Sequence, residues 1–109
     1  MKNKDITPIN ENNQKNSYLE EYWSNGNLRY KGNYINGKHS GYCEAYWFNG
    51  NLMYKGNYIN GKPNGYWEWY LPNGKISEKV NYIEGKEHGY VELYKNGIIN
   101  EINYYILKL

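Results

Sequence analysis

A unit of 24 residues recurs along most of the chain, and this repeat limits what the chain can fold into. Residues 46–69 match residues 22–45 with few differences, and residues 70–93 follow more loosely in the same frame. The units are marked by four tyrosines, namely Tyr22, Tyr46, Tyr70 and Tyr94. A fixed period of this length is typical of a stacked array of repeats rather than of a globular domain with a single hydrophobic core.

Each unit predicts a β-hairpin. The segments YLEEY, YCEAY, YWEWY and YVELY alternate in polarity, run into an Asn-Gly turn and are followed by a second alternating run. Asn-Gly between two such runs is a strong hairpin signal, and glycine recurs too often for a helix of normal length. The sequence therefore predicts an all-β fold, a single-layer antiparallel meander of about eight strands built from 24-residue β-hairpin repeats.

The chain has room for one domain. Residues 1–16 are polar and Asn-rich, and they predict a disordered tail. The remaining chain, 17–109, predicts the repeat domain. Its parts are a leading half-repeat at 17–21, repeats at 22–45, 46–69 and 70–93, and a partial repeat at 94–109.

The turn of the last unit is one residue shorter than the others. A strand keeps its register through such a loss only if a three-residue loop contracts to a two-residue turn. We therefore expect residues 72–74 and their equivalents to form a type I turn followed by a left-handed glycine, and Asn96 and Gly97 to form a two-residue turn.

This loop length predicts the pairs Tyr46 with Leu52, Glu44 with Tyr54, and Tyr42 with Gly56. Tyrosine rings would then lie across bare glycine backbone on the face that varies little between units. The residues predicted to have a structural role in the repeat are Tyr22, Tyr46, Tyr70, Tyr94, Gly32, Gly56, Tyr34, Tyr58 and Tyr82.

The opposite face varies between units and carries large aromatic residues. In a one-layer sheet an exposed row of Trp and Tyr indicates a binding surface for a partner. The alternative is that curling of the sheet buries these rings internally. The predicted partner-binding residues are Trp23, Arg29, Trp47, Met53, Trp67, Trp69 and Leu71.

The polar residues do not form a catalytic or metal-binding pattern. Cys43 takes the place of Leu, Trp or Val in other units, which predicts a small packed hydrophobe. His39 and His88 are predicted to be exposed residues in turns, because the sequence places no further metal ligands with them. Four glutamates, Glu20, Glu44, Glu68 and Glu92, recur identically and predict acceptors for tyrosine hydroxyls. We therefore expect no enzyme activity, no cofactor and no metal.

Charge and hydropathy bear on the partner and the location. The net charge is only +2 and the lysines are scattered, so neither nucleic acid nor a membrane surface is the expected partner. No apolar run is long enough for a membrane-spanning helix, and no secretory signal is present. These features predict a cytoplasmic protein. The last strand departs from the repeat pattern, which predicts either a cap of the array or an edge that forms oligomers.

The repeat pattern resembles the MORN repeat, and in particular the bacterial MORN variant found in proteins similar to YwqK-type antitoxin components. The third copy departs from the pattern with Val80 in place of a glycine. The residues that carry the resemblance are Tyr22, Asn25, Gly26, Leu28, Gly32, Tyr34, Gly37, Lys38 and Gly41, with their equivalents in the second copy.

The resemblance implies a stack of β-hairpins that forms one elongated sheet, with no catalytic residues in the repeat. It also implies a module that binds other proteins, and an antitoxin or immunity-type partner that neutralises a toxin encoded nearby. Two alternatives remain open at this point. One is a carbohydrate or cell-wall ligand-binding module, and the other is a peripheral membrane scaffold.

Overall fold

The computed structural model describes residues 16–106, which form one open antiparallel sheet. The molecule measures 46 × 42 × 13 Å, and its smallest dimension is that of a single layer. The predicted single-layer meander of hairpins is confirmed. The strands are β1 (Asn16–Tyr22), β2 (Leu28–Ile35), β3 (Lys38–Tyr46), β4 (Leu52–Ile59), β5 (Lys62–Tyr70), β6 (Ile76–Ile83), β7 (Lys86–Glu87), β8 (Gly89–Lys95) and β9 (Ile98–Tyr105).

Apart from β7 and β8, strands that follow one another along the chain are neighbours in the sheet. The ninth strand arises because His88 separates the short β7 from β8, and β7 and β8 both pair with β6. Within residues 16–106 no helix is long and apolar enough to cross a membrane. The predicted tail lies outside the described residues except for Asn16, which already belongs to β1.

The predicted turns are confirmed. In the first unit the Gly26 amide donates to the Trp23 carbonyl at 2.9 Å, and the Trp23 amide donates to the Asn27 carbonyl at 2.8 Å. This arrangement is a three-residue loop in which Gly26 adopts a left-handed φ of 92°. The next two units repeat the same bonds at Trp47 and Leu71. The last unit instead has Asn96 and Gly97 at φ 54° and 78°, between the paired Lys95 and Ile98.

The predicted pairing beyond each turn is wrong by one residue. Tyr46 does lie opposite Leu52, but a β-bulge follows at Met53, so that Ala45 pairs with Tyr54 and Glu44 with Lys55. Tyr42 therefore lies opposite Asn57, and Gly56 lies opposite Cys43. Because residues directly opposite one another share a face, Tyr42 and Gly56 lie on different sides of the sheet. The bulge recurs at the equivalent positions of the other units, namely Arg29, Ser77 and Asn100.

The bulge assigns the residues to two faces. The ladder face carries Tyr18, Glu20 and Tyr22 of β1 and their repeat equivalents, together with Lys31 of β2 and its equivalents. The aromatic face carries the glycines and tyrosines that follow each bulge and the variable residues of the preceding strand. On the strands from β2 to β6 these are Tyr30, Gly32, Tyr34, Cys43, Ala45, Tyr54, Gly56, Tyr58, Trp67, Trp69, Val80 and Tyr82.

The buried core lies on the aromatic face. Tyr30, Cys43, Ala45 and Trp67 form one buried cluster, against which half-buried rings such as Tyr58 pack. The interpretation of Cys43 as a packed hydrophobe is confirmed, since the side chain is 1% exposed and burial raises the pKa of its thiol. The prediction that tyrosines cover the glycines is wrong for Gly56, which is covered by the indole of Trp67.

Candidate functional site

An open cleft of about 400 Å³ lies on the aromatic face over strands β1 to β4. Its walls contain several tyrosines, one tryptophan and two charged side chains of opposite sign. The lining residues are Glu21, Trp23, Arg29, Tyr30, Tyr34, His39, Ala45, Tyr46, Met53 and Tyr54. A concave surface lined by rings with a few polar groups is the usual form of a binding site.

One wall of the cleft is built by Trp23, at the start of the first turn. Its indole Nε1 donates to the carbonyl of Tyr46 in the next unit at 3.0 Å, and its ring meets Phe48 edge-on at 5.8 Å. The guanidinium of Arg29 lies 4.9 Å from the centre of the Trp23 ring, within cation–π range. The tryptophan is thereby fixed by its neighbours, and it in turn holds the arginine over the cleft.

A stack of rings extends from the cleft toward the far ends of β2 to β4. The Tyr30 hydroxyl lies 2.9 Å from His39 Nδ1 and makes a hydrogen bond with it. The imidazole lies between the rings of Tyr34 and Tyr58, with both centroids at 4.5 Å. The prediction of an exposed turn residue at position 39 is therefore wrong, because the side chain is half-buried within β3. His88 is half-buried as well.

The bulges direct two of the variable side chains into the cleft. Arg29 and Met53 are the extra residues of β2 and β4, and both contribute to its lining. A bulge commonly re-aims a side chain out of the regular alternation. Since the bulged position holds Arg, Met, Ser and Asn in successive units, the cleft differs in chemistry from the equivalent places further along the sheet.

The structure brings together three of the seven predicted partner-binding residues, Trp23, Arg29 and Met53. Trp69 lies beside them, with its ring 4.8 Å from that of Tyr54. Trp67 is 1% exposed, so its ring is part of the core and offers no surface to a partner.

Trp47 and Leu71, the other two of the seven, lie at the second and third turns and do not line the cleft. Trp47 repeats the bond of Trp23 by donating from its indole to the Tyr70 carbonyl at 3.1 Å. Leu71 is exposed.

The turns are joined by asparagine side chains that the repeat pattern did not single out for this role. The amides of Asn25 and Asn27 both donate to the carbonyl of Phe48, at 2.9 and 3.0 Å. Asn49 and Asn51 make the same two bonds to the carbonyl of Pro72, each at 2.8 Å. These bonds stack one turn on the next, and their signal in the sequence is the recurrence of Asn on both sides of the turn glycine.

The ladder face repeats one polar motif. Glu20 accepts hydrogen bonds from Tyr18 and Tyr22, Glu44 from Tyr42 and Tyr46, and Glu68 from Tyr66 and Tyr70, while Glu92 accepts one from Tyr94. The prediction that these glutamates accept tyrosine hydroxyls is confirmed. Two of them also form ion pairs at 3.3 Å, Glu44 with Lys31 and Glu68 with Lys55.

The surroundings of these carboxylates hold them in the charged form. Burial alone would raise the pKa of Glu44, but hydrogen bonds from Tyr42 and Tyr46 and the charge of Lys31 bring it below its ordinary value. The pKa of Glu68 is lowered by the same balance. Neighbouring carboxylates that shift in the same direction do not form a general acid and base pair, which needs the two pKa values to be pushed apart.

The tyrosines of the ladder face are more exposed than the rings of the aromatic face. Tyr18, Tyr22, Tyr42, Tyr66 and Tyr90 are all exposed along it. No group of three or more His, Cys, Asp or Glu side chains within residues 16–106 could hold a metal ion. The described surface offers rings, hydroxyls and a few charges for recognition.

Comparisons with known proteins agree with the hairpin repeat. No curated protein matches the chain. The sequence model of the MORN repeat variant matches three times, at residues 15–36, 40–60 and 63–84, which together span more than half of the chain. Each match covers one hairpin with its Asn-Gly turn. Repeats of this kind are generally non-catalytic modules that bind proteins or membranes. The chain belongs to the MORN repeat variant family.

Proposed function

We propose that this chain is a cytoplasmic protein-binding module that neutralises a toxic partner protein, in the manner of an antitoxin or immunity protein. The observation that carries the proposal is the cleft on the aromatic face, where Trp23, Arg29 and Met53 meet over β1 to β4. Trp, Tyr and Arg are the residue types that most often supply binding energy at protein interfaces.

The cleft is held in shape before any partner arrives. Arg29 rests on Trp23, the indole of Trp23 is bonded to the next unit, and Tyr30 is bonded to His39. Side chains already fixed lose little conformational freedom on binding, so more of the contact energy remains as affinity. Glu21 and Arg29 place opposite charges in the cleft, which favours one orientation of a bound segment.

The partner is expected to be a toxin encoded beside this chain. The test is co-expression of the two proteins, with growth of the host as the first measurement and the affinity of the purified pair by calorimetry as the second. The decisive variants are Arg29→Glu and Met53→Glu, which place a negative charge in the cleft. We expect each to weaken binding by about 10-fold or more, since the few hot-spot residues at the centre of an interface cost about 2 kcal/mol or more when changed.

Ser77→Glu is the matched control, because Ser77 occupies the same bulged position in β6 and does not line the cleft. It should bind like the unaltered chain. If Arg29→Glu and Met53→Glu also bind normally, the cleft is not the recognition surface. If the unaltered chain neither binds the neighbouring protein nor restores growth, the neutralising role is refuted.

A second candidate function is binding of a cell-wall polysaccharide, which the exposed tyrosines of the ladder face favour. Sugar rings stack on aromatic side chains, and these tyrosines recur on alternate strands along one side of a thin sheet. Sedimentation with insoluble cell wall tests it. Retention that is lost in the double variant Tyr42→Ala/Tyr66→Ala would support this function, and no retention of the unaltered chain would refute it.

A further inference from the structure

We propose that the edge strand β9 pairs with β9 of a second copy of this chain, which joins the two sheets into one continuous sheet around a twofold axis. Within residues 16–106, β9 pairs with β8 along one side only. A free strand edge presents unpaired backbone N–H and C=O groups, which readily take up a further strand.

The side chains of β9 make this edge unusually apolar. Ile99, Ile102 and Tyr104 are exposed on the ladder face, and Ile98 and Tyr105 are exposed on the aromatic face. A terminal unit that only caps a repeat array needs a polar outer surface. β9 instead exposes three isoleucines and two tyrosines among its eight residues, so it fits a covered strand better than a cap.

The β1 edge at the other end of the sheet is polar by comparison. β1 begins with Asn16 and Ser17 and carries Glu20 and Glu21 side by side. Charged residues on an edge strand discourage pairing with other chains. The two ends of the sheet therefore differ, and of the two edge strands within residues 16–106 it is β9 that combines a free edge with exposed apolar side chains on both faces.

The internal junctions of the sheet show what a docked β1 would meet on β9. At the junction of β2 with β3, Lys31 pairs with Glu44, Gly32 with Cys43, and Tyr30 with Ala45. By its own pairing with β8, β9 has Ile102 at the lysine position, Asn103 at the glycine position and Glu101 at the Tyr30 position.

A second copy docking head to tail through β1 would thus place Glu20 against Ile102 and Glu21 against Glu101. The first contact lacks the ion pair that Lys31 and Lys55 supply inside the sheet. The second puts like charges directly opposite each other, which is destabilising in an antiparallel pair. Head-to-tail stacking would also continue without closing and produce filaments. These mismatches argue against β1 as the occupant.

Pairing of β9 with itself avoids both mismatches. An antiparallel pair centred on Ile102 places Glu101 opposite Asn103 of the second copy, and a pair centred on Asn103 places it opposite Tyr105. Either residue can donate a hydrogen bond to the carboxylate. On the ladder face Ile102 then lies opposite itself in the first arrangement and opposite Tyr104 of the second copy in the second, and the twofold arrangement closes at two copies.

The mass in solution tests this inference directly. Sedimentation equilibrium of the full chain should give twice the 13.0 kDa chain mass at a sufficient protein concentration. Ile102→Lys restores the lysine of the internal repeats at the centre of the edge and should weaken the dimer by about 10-fold or more, since a charge covered by the second copy loses its contact with water. Ile59→Lys is the matched control, because Ile59 is 57% exposed and Ile102 is 53% exposed. It should leave the dimer intact.

Cysteine cross-linking tests the twofold geometry. Residues opposite one another across the axis have Cα atoms close enough for a disulfide. One of the variants Ile102→Cys and Asn103→Cys should therefore form a covalent dimer under mild oxidation, and the buried native Cys43 does not compete. A monomer at all concentrations, species that grow beyond two copies, or a dimer that Ile102→Lys does not weaken would each overturn the inference.

Discussion

The indole of Trp67 lies directly on the backbone of Gly56. A Cβ atom placed at Gly56 would lie 2.1 Å from Cδ2 of the indole and 2.3 Å from Cε2, which no side chain can occupy without moving the ring. The other junctions show the same complementarity at different sizes. Tyr30 and Cys43 together close the space at Gly32, where a Cβ would lie 2.8 Å from the Tyr30 hydroxyl and 3.0 Å from the Cβ of Cys43. In the third unit Val80 replaces the glycine, and the residue equivalent to Trp67 is the smaller Val91.

We expect Gly56 and Trp67 to be strongly coupled in a double-mutant cycle. Gly56→Val alone overpacks the core, and Trp67→Val alone leaves a cavity, so each should lower the free energy of unfolding by about 2–4 kcal/mol. The double variant reproduces the Val80 and Val91 pair of the third unit and should be less destabilised than the sum by about 1–3 kcal/mol. Urea unfolding of the four proteins measures this coupling.

Gly56 has no left-handed φ, so the cost of Gly56→Val is attributed to the indole rather than to backbone strain. The coupling energy is the quantity that decides the point. If the two single effects simply add, Trp67 and Gly56 do not pack as described.

The asparagines that join the turns should contribute measurably to stability. Asn51→Ala removes the bond from Asn51 Nδ2 to the Pro72 carbonyl at 2.8 Å, and we expect a loss of about 0.5–1.5 kcal/mol in the free energy of unfolding. Lys75→Ala is the control, because Lys75 holds the same position in the third turn and replaces the asparagine there. Thermal unfolding should show a lower midpoint for Asn51→Ala than for Lys75→Ala, and equal midpoints would contradict the proposed stacking of turns.

Stability should fall in acid because of the ladder carboxylates. The pKa of Glu20 is lowered by hydrogen bonds from Tyr22 and Tyr18, and the pKa values of Glu44 and Glu68 also lie below their ordinary value of 4.5. As pH falls, the unfolded chain takes up these protons before the folded chain does, so the stability is present above 4.5 and is lost as pH falls through the lower folded values.

Glu78 acts in the opposite direction, since burial and then the charge of Glu87 raise its pKa. With three carboxylates lowered in pKa and one raised, we expect the net stability to fall in acid. Denaturant unfolding from neutral pH to strong acid measures the net effect. In the triple variant Glu20→Gln/Glu44→Gln/Glu68→Gln the free energy of unfolding should fall less as the pH is lowered. If that variant loses as much stability in acid as the unaltered chain, the three glutamates of the ladder face are not the cause of the loss.

Stability should also fall in alkali. Burial, followed by the hydrogen bond to Glu68, raises the pKa of Tyr70 to about 12, and burial and hydrogen bonds to glutamates also raise the pKa values of Tyr42, Tyr46 and Tyr66. Because the folded values lie above the ordinary value of 10.0, the unfolded chain loses these protons first, and stability decreases as pH rises above 10. Ultraviolet titration should show these tyrosines ionising together with unfolding.

The variant Glu68→Gln removes a negative charge and should bring the pKa of Tyr70 toward its ordinary value. If all tyrosines of the unaltered chain ionise near pH 10 while its circular dichroism is unchanged, the hydrogen bonds from tyrosines to glutamates on the ladder face are not formed in solution.

The sequence by itself determined the hairpin, the period and the turns. Asn-Gly at fixed intervals encodes local geometry, because the glycine of each of these turns adopts a left-handed φ, and in the shortened turn Asn96 adopts it together with Gly97. The bonds from tyrosines to glutamates were also predictable, since residues two apart on one strand share a face.

The tertiary structure alone decided which residues face which side of the sheet. One bulge residue per hairpin, at Arg29, Met53, Ser77 and Asn100, shifts the second strand by one position and moves its glycines from the ladder face to the aromatic face. A bulge has no fixed residue signature, because these four side chains differ in size, charge and hydropathy. It arises where an extra residue lets Trp67 close over Gly56 and lets Cys43 approach Gly32. These contacts join different units of the repeat. Packing between units depends on the shapes of both contacting residues, and the alternation of residues along a single strand does not reveal how those shapes fit together.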